Sequence, residues 1–202
     1  MKRGNLIVIS APSGTGKTTI VKRILSEMDN IQFSISYTTR KPRPGEMDGK
    51  DYFFVDEKTF KNMIEEDEFL EWANVYGNLY GTSKTYVEKI LKGGNDVLLD
   101  IDVQGGKSIK EKKSDSILIF LIPPSLKELE KRLKNRKSDP EEVIKKRLKI
   151  AKSEILEYKN YDFIVMNDIL ESAVKNVKNI IEAMRHKRKN MEYLIGKILE
   201  EE

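Results

Sequence analysis

Apolar positions along this chain fall into two kinds of pattern, short continuous runs and stripes at helical spacing, and they take turns. Leu6, Ile7, Val8 and Ile9 form a run. Behind it Ile20, Val21, Ile24, Leu25 and Met28 recur every three or four residues. This predicts a buried strand followed by a helix that ends near Met28. Residues 33–36 alternate like a short strand. Residues 37–46 hold two prolines and a glycine, which exclude a helix there. Residues 51–55 read as a strand. A short helix follows over 58–66, with Phe60, Met63 and Ile64 on one face, then a strand over 69–76 and a turn over 77–81. The stretch from about 34 to 82 is therefore strand-rich, carries most of the aromatic residues and interrupts any strand–helix alternation.

Alternation resumes afterwards. A helix over 85–92 stops at Gly93 and Gly94, and an apolar strand over 96–102 ends in Asp100 and Asp102. Gly105 and Gly106 lead a helix to about 113, and a strand over 117–122 closes at Pro123 and Pro124. Continuous apolar strands of this kind suit a parallel sheet covered on both faces. Residues 125–135 and 139–158 predict two helices. The second opens with Asp139 as cap, Pro140 at the first helical position and two acids behind it. Residues 162–166 make the last strand, and a long amphipathic helix starts near Leu170. The expected fold is α/β: a parallel sheet flanked by helices in one domain. Its core is residues 1–33, 83–125 and 160–202, with a strand-rich insert at 34–82 and a helical pair at 126–159.

The junction of the first strand and first helix carries the clearest chemistry. Ala11-Pro12-Ser13-Gly14-Thr15-Gly16-Lys17-Thr18 places a glycine-containing loop between them, the context of a phosphate-binding P-loop. Gly14 and Gly16 let successive N–H groups converge on one anion, and the helix adds its positive end. Lys17 supplies a point charge, and the Thr18 hydroxyl is a candidate Mg²⁺ ligand. Asp100, at the end of an apolar strand, is the second candidate for the metal. The strict pattern begins with Gly where this chain has Ala11, so the loop's first turn is expected to be less free.

Charge changes the picture only locally. The 202 residues hold 37 Lys and Arg against 33 Asp and Glu, a net charge of +4. That balance is too mild and too mixed to argue for nucleic acid. Only nine of the 37 are Arg, so their positions are informative. Arg40 and Arg43 sit together, and Arg132, Arg136 and Arg147 form a second group. Arginine's planar fork grips phosphate in a way lysine cannot. The second group lies on the helical pair, which suggests a lid closing over a nucleotide. Cysteine is absent, which excludes disulfides and thiol catalysis and fits a cytoplasmic setting. No run reaches membrane-spanning length, and the first residues lead into a strand without a signal-peptide pattern. His186 lies in a basic stretch and reads as a solvated surface residue. Beyond it, Met191, Tyr193, Leu194, Ile195, Ile198 and Leu199 continue at helical spacing, as packing or fraying at the end of the long helix.

Several ordered segments resemble the guanylate kinase family: Ser-x-Thr-Thr-Arg-x-Pro-Arg at 36–43, Gly49-Lys50-Asp51-Tyr52, Phe69-Leu70-Glu71-Trp72, Tyr80-Gly81-Thr82, Asp100-Ile101-Asp102-Val103-Gln104-Gly105, Pro123-Pro124-Ser125 and the spacing of Arg132, Arg136 and Arg147. The likeness covers roughly residues 5 to 185. It implies a P-loop NTPase fold with a GMP-binding insert and a lid, and transfer of the γ-phosphoryl group of ATP to GMP with Mg²⁺. Residues 11–18 would bind ATP. Arg40, Arg43, Tyr52 and Tyr80 would hold the GMP phosphate. Ser36, Glu71, Thr82 and Asp102 would read guanine, because a carboxylate matches guanine's adjacent N1–H and N2 amino donors. Lys17, Arg132, Arg136 and Arg147 would neutralise charge in the transition state. Asn167 would lie near adenine. Another small-molecule kinase on this scaffold, such as a ribose bisphosphate phosphokinase, would keep the P-loop and lid without the guanine-reading set. A non-catalytic interaction module would lack the intact loop. Nucleic acid and membrane partners are not expected, and the sequence favours neither monomer nor homo-oligomer.

Overall fold

The computed structural model describes residues 3–75, 77–135 and 140–200. Five strands form a parallel sheet: β1 (Leu6–Ser10), β2 (Ile31–Phe33), β7 (Asp96–Asp100), β8 (Ile117–Ile122) and β9 (Phe163–Met166), in the order β2-β7-β1-β8-β9. Alternation along β1 decides which face each side chain serves. Ile7 and Ile9 pack with α1 (Lys17–Glu27) and α7 (Leu170–Arg185), where Ile20, Ile24, Val174 and Val177 are buried. Leu6 and Val8 pack on the other face with α3 (Lys84–Lys92) and α4 (Val103–Lys112), through Val87, Ile90, Leu91 and Ile109. Both faces are covered, as the continuous apolar strands imply.

A second sheet of four strands lies between β2 and α3 in the chain. It is built from β3 (Tyr37–Thr38), β4 (Phe53–Phe54), β5 (Phe69–Val75) and β6 (Asn78–Ser83), in the order β4-β3-β6-β5, with α2 (Glu57–Glu65) inserted between β4 and β5. Here the pattern of apolar residues misleads. The strand expected over 33–36 is absent beyond its first residue: β2 ends at Phe33 in one sheet, residues 34–36 cross over as irregular chain, and β3 begins at Tyr37 in the other. The turn expected over 77–81 is confined to its first residue, Gly77 at φ 84°, and residues 78–83 are strand β6. Asn78 and Gly81 read as turn residues locally, but pairing with both β3 and β5 overrides that preference. The strand expected over 51–55 shrinks to the two residues of β4.

The helical pair is α5 (Leu126–Asn135) and α6 (Glu141–Leu156), followed by a 3₁₀ turn, Glu157–Asn160. Leu129, Leu133, Ile144 and Ala151 form a third apolar cluster between them. Pro140 is the N-cap of α6 with extended backbone, so the helix starts one place later than expected, and Asp139 lies outside the described residues. Gly105 and Gly106 lie inside α4 and do not precede it; Asp102 is the cap, its Oδ1 accepting the Gly105 N–H at 2.8 Å. The C-terminal stripe forms a separate helix, α8 (Arg188–Glu200), whose Ile195, Ile198 and Leu199 are exposed. His186 is exposed between α7 and α8. Among the described residues no helix is long and apolar enough to cross a membrane.

Candidate functional site

The site begins where the central strand ends. β1 runs beside β7 with Ile9 opposite Asp100, so the loop after β1 starts next to that carboxylate. Gly14 and Gly16 take φ values of 96° and 102°, the left-handed conformation that side chains resist. Ala11 is buried and stays out of that region, so its methyl is accommodated and the expected stiffness of the first turn has no consequence for the loop's shape. Gly16 is the N-cap of α1 and offers no side-chain cap, which leaves the first N–H groups of the helix open to an anion. Neighbours brace the loop from behind. The Asn167 side-chain amide donates to the Thr15 carbonyl at 2.6 Å. Arg132 donates to the same carbonyl at 3.3 Å and to the Asn167 carbonyl at 2.9 Å, and its Nε donates to Glu128 at 3.2 Å.

Lys17, the first residue of α1, pairs with Asp100 and donates to the Ile101 carbonyl at 3.0 Å. Two cavities meet here, of about 340 Å³ and 230 Å³. The larger is lined by residues 11–14 and 16–18 of the loop. The smaller is lined by Glu71, Ala73 and Tyr80. Lys17, Ser36, Tyr52, Asp100 and Asp102 belong to both.

Glu71 is the most unusual group in the smaller cavity. It is 4% exposed. A bulge in β5 between Phe69 and Glu71 shifts the register so that Glu71 faces Thr82, whose hydroxyl donates to Glu71 Oε1 at 2.5 Å. Burial pushes the Glu71 carboxyl up to about 7. The Thr82 hydroxyl opposes the shift, and the Asp102 charge adds to it. On its other side the carboxylate lies against Gly105, where a Cβ would come within 2.8 Å of Glu71 Oε2.

The arginine loop borders this cavity. Glu46 accepts from the Arg40 guanidinium at 2.8 Å and from the Arg43 backbone N–H at 2.7 Å. That pairing holds Arg40 firmly charged, above its ordinary value, with help from Tyr80. The Arg40 guanidinium stands 5.2 Å from the Tyr52 ring centre, and Tyr52 and Tyr80 meet edge to face at 6.0 Å. Burial raises the Tyr52 phenol.

Of the residues the sequence singles out, the structure therefore brings Lys17, Thr18, Ser36, Tyr52, Glu71, Tyr80, Asp100 and Asp102 onto one continuous cleft. Thr82 stands behind Glu71 and is fully buried. Arg40 lies at the rim beside Tyr52, and Arg43 is exposed. Arg132 is turned onto the carbonyls of Thr15 and Asn167, Arg147 is half-buried on α6, and Arg136 lies outside the described residues. Sequence reasoning misses Glu46, although it lies in the loop with the two arginines, and Glu154, a carboxylate of α6 that lines the P-loop cavity. Nothing local marks either among the 33 acids of the chain.

A parallel sheet with a glycine loop from its central strand into a helix, and a lysine at the mouth of a two-part cleft, defines a P-loop nucleotide-binding fold of the kinase kind. A family model described as guanylate kinase matches residues 3–184. A guanylate kinase of Zymomonas mobilis is 51% identical over 196 residues, 96% of this chain and 91% of that protein. One from Caldanaerobacter subterraneus is 48% identical over 200 residues, covering 99% and 97%. A crystal structure of guanylate kinase from Anaplasma phagocytophilum superposes with a TM-score of 0.77 at 34% identity, covering 93% of this chain and 89% of that one. The chain belongs to the guanylate kinase family.

Proposed function

We propose that the larger cavity seats ATP and the smaller one GMP, and that Lys17 stands where the two phosphates meet. As a guanylate kinase, the chain phosphorylates GMP to GDP at the expense of ATP. The observation that supports this seating is the continuity of the two cavities through Lys17, Tyr52 and Asp100. The loop's N–H groups and the open end of α1 suit the donor phosphates, which carry most of the charge to be bound. Glu71 suits guanine: once ionised it accepts from the adjacent N1–H and N2 amino donors, and the Thr82 hydroxyl on Oε1 fixes its orientation. Adenine offers no such pair, and AMP would leave the buried carboxylate unmatched. Asp102 spends one oxygen capping α4 and has the other available to the base.

Arg40, Arg43, Tyr52 and Tyr80 suit the acceptor phosphate, and the dianion would take over the guanidinium that Glu46 now holds. The acceptor oxygen is already ionised, so the reaction requires alignment and charge neutralisation more than a base. Lys17 would leave Asp100 for the transferring phosphoryl group. Arg132, Arg136 and Arg147 would complete the neutralisation from the lid, which also excludes water. Mg²⁺ fits the donor set: the Thr18 hydroxyl and the Asp100 carboxylate line one cavity, and two oxygens suit an ion that keeps waters and phosphate oxygens as its other ligands. Such an ion would offset the charge on the triphosphate. We place residues 34–82 as the GMP-binding subdomain, 126–159 as the lid, and the cysteine-free chain in the cytoplasm.

A coupled ADP-release assay with ATP and Mg²⁺ tests the seating, with GMP, AMP, UMP and ribose 1,5-bisphosphate as acceptors. Turnover is expected with GMP, and Glu71→Ala is expected to lower kcat/KM for GMP by about 10³-fold while the KM for ATP stays within twofold. Equal weakening toward both nucleotides would remove Glu71 from the base site.

A further inference from the structure

Asn167 has no part in the seating above, yet it touches the P-loop where the loop is most constrained. It follows β9, and its backbone N–H donates to the Ile122 carbonyl at 2.8 Å, so it is fixed to the end of the sheet. The residue is buried, and its side-chain amide donates to the Thr15 carbonyl at 2.6 Å. The approach is close enough to shape the loop: a Cβ on Gly16 would come within 2.6 Å of Asn167 Nδ2. The second glycine of the loop thus answers two demands, a φ of 102° and room for this amide.

The contact has a consequence on the far side of the loop. The Thr15 C=O and the Gly16 N–H belong to one planar trans peptide and point in opposite directions. An amide on the carbonyl therefore turns the N–H away from Asn167. Gly16 lines the P-loop cavity and Asn167 stands outside it. Among the described residues no protein group accepts the Gly16 N–H. Arg132 reaches the same Thr15 carbonyl, but at 3.3 Å, and it also donates to the Asn167 carbonyl at 2.9 Å. In the reading above Arg132 serves the transferring phosphoryl group. An uncharged amide has no such second task, so Asn167 is the steadier hold on that peptide.

We propose that Asn167 is a positioning residue: its side-chain amide holds the Thr15–Gly16 peptide so that the Gly16 N–H faces the donor phosphates. The inference rests on the reading of the larger cavity as the triphosphate seat. Asn167 acts through a backbone amide, so its effect belongs to the phosphates and not to the base they carry. The resemblance would place Asn167 beside adenine, and the two roles part at that point.

The test is calorimetry of the parent, Asn167→Ala and Asn167→Leu with ATP, base-free tripolyphosphate and GMP, each with Mg²⁺, and thermal melting of each protein. Asn167→Ala is expected to weaken ATP and tripolyphosphate by the same factor, about tenfold, with GMP affinity unchanged within twofold. Asn167→Leu keeps the size of the side chain and its neutrality while removing the donor. It should show the same loss, and it carries the comparison if the alanine variant fails to fold. The Asn167 carbonyl that Arg132 uses is backbone and survives both substitutions. Weaker ATP beside unchanged tripolyphosphate would overturn the inference in favour of a contact with the base. GMP weakened as much as ATP would overturn it in favour of a merely structural role, and parent-like affinities in both variants would show that no donor is needed. Tripolyphosphate that fails to displace ATP from the parent would sink the seating itself, and the inference with it.

Discussion

The two walls of the cleft work by opposite means. The P-loop wall is made of backbone: Gly14 and Gly16 in left-handed conformations, and the uncapped start of α1. The facing wall is made of side chains: a buried glutamate, its threonine partner and a glycine that makes room for it. Backbone amides bind any phosphate, so on the proposed seating the first wall would supply affinity without discrimination. A buried carboxylate matches only a ligand with the right donors, so on the proposed seating the second would supply choice. Its cost is a desolvated acid.

Substitutions should separate the walls. The largest effect is expected at their junction. Lys17→Ala should lower turnover by about 10³-fold in the ADP-release assay while GMP still binds, as measured by calorimetry. Near-normal turnover would remove Lys17 from the transfer step. Next comes the desolvated acid itself. A carboxyl raised in the folded state opposes folding once the unfolded chain ionises. The Glu71 contribution should therefore be smallest below pH 4.5, grow as pH rises toward about 7, and stay constant above. Across that window Glu71→Gln should gain about 3 kcal/mol relative to the parent in denaturant melts. A difference independent of pH would mean that the carboxyl is not desolvated.

Smaller effects test each wall alone. Gly105→Ala would push a methyl against Glu71 Oε2 and should raise the KM for GMP about tenfold with the KM for ATP unchanged. A change in ATP affinity instead would show that the walls are not independent. Ala11→Gly should be nearly silent. The position has no left-handed backbone to relieve, so the KM for ATP should stay within twofold while stability falls by about 1 kcal/mol. A tighter ATP site in this variant would show that the methyl strains the loop after all.

The same contrast governs how much the sequence reveals. The P-loop wall is a contiguous motif between a run and a stripe, and it is legible down to Lys17 and Thr18. The parallel sheet is legible too, because strands buried on both faces are apolar throughout. The facing wall is assembled across long separations, and its geometry depends on events that leave no local trace. The bulge before Glu71 turns that residue toward Thr82, and no periodicity announces it. Strand β6 reads as a turn because its residues suit turns, and only its two partners make it a strand. The resemblance names Glu71 and Thr82, but their joint geometry appears only in the fold. Glu46 and Glu154 are indistinguishable in sequence from the acids on the surface; what sets them apart is the Arg43 amide for the first and a place on the P-loop cavity for the second.

The small apolar cluster between α5 and α6 has a consequence for how the molecule loosens. Among the described residues four buried side chains, with Leu148 packed against them, hold these two helices, apart from the much larger clusters on either face of the sheet. A unit held by so small a cluster is expected to open and reclose without melting the whole, and hydrogen exchange of its amides is expected to run ahead of that of β1 and β8. Leu129 and Leu133 of that unit also rest against Gly14. On the proposed reading of these helices as a lid, a nucleotide in the P-loop would stiffen the helices above it.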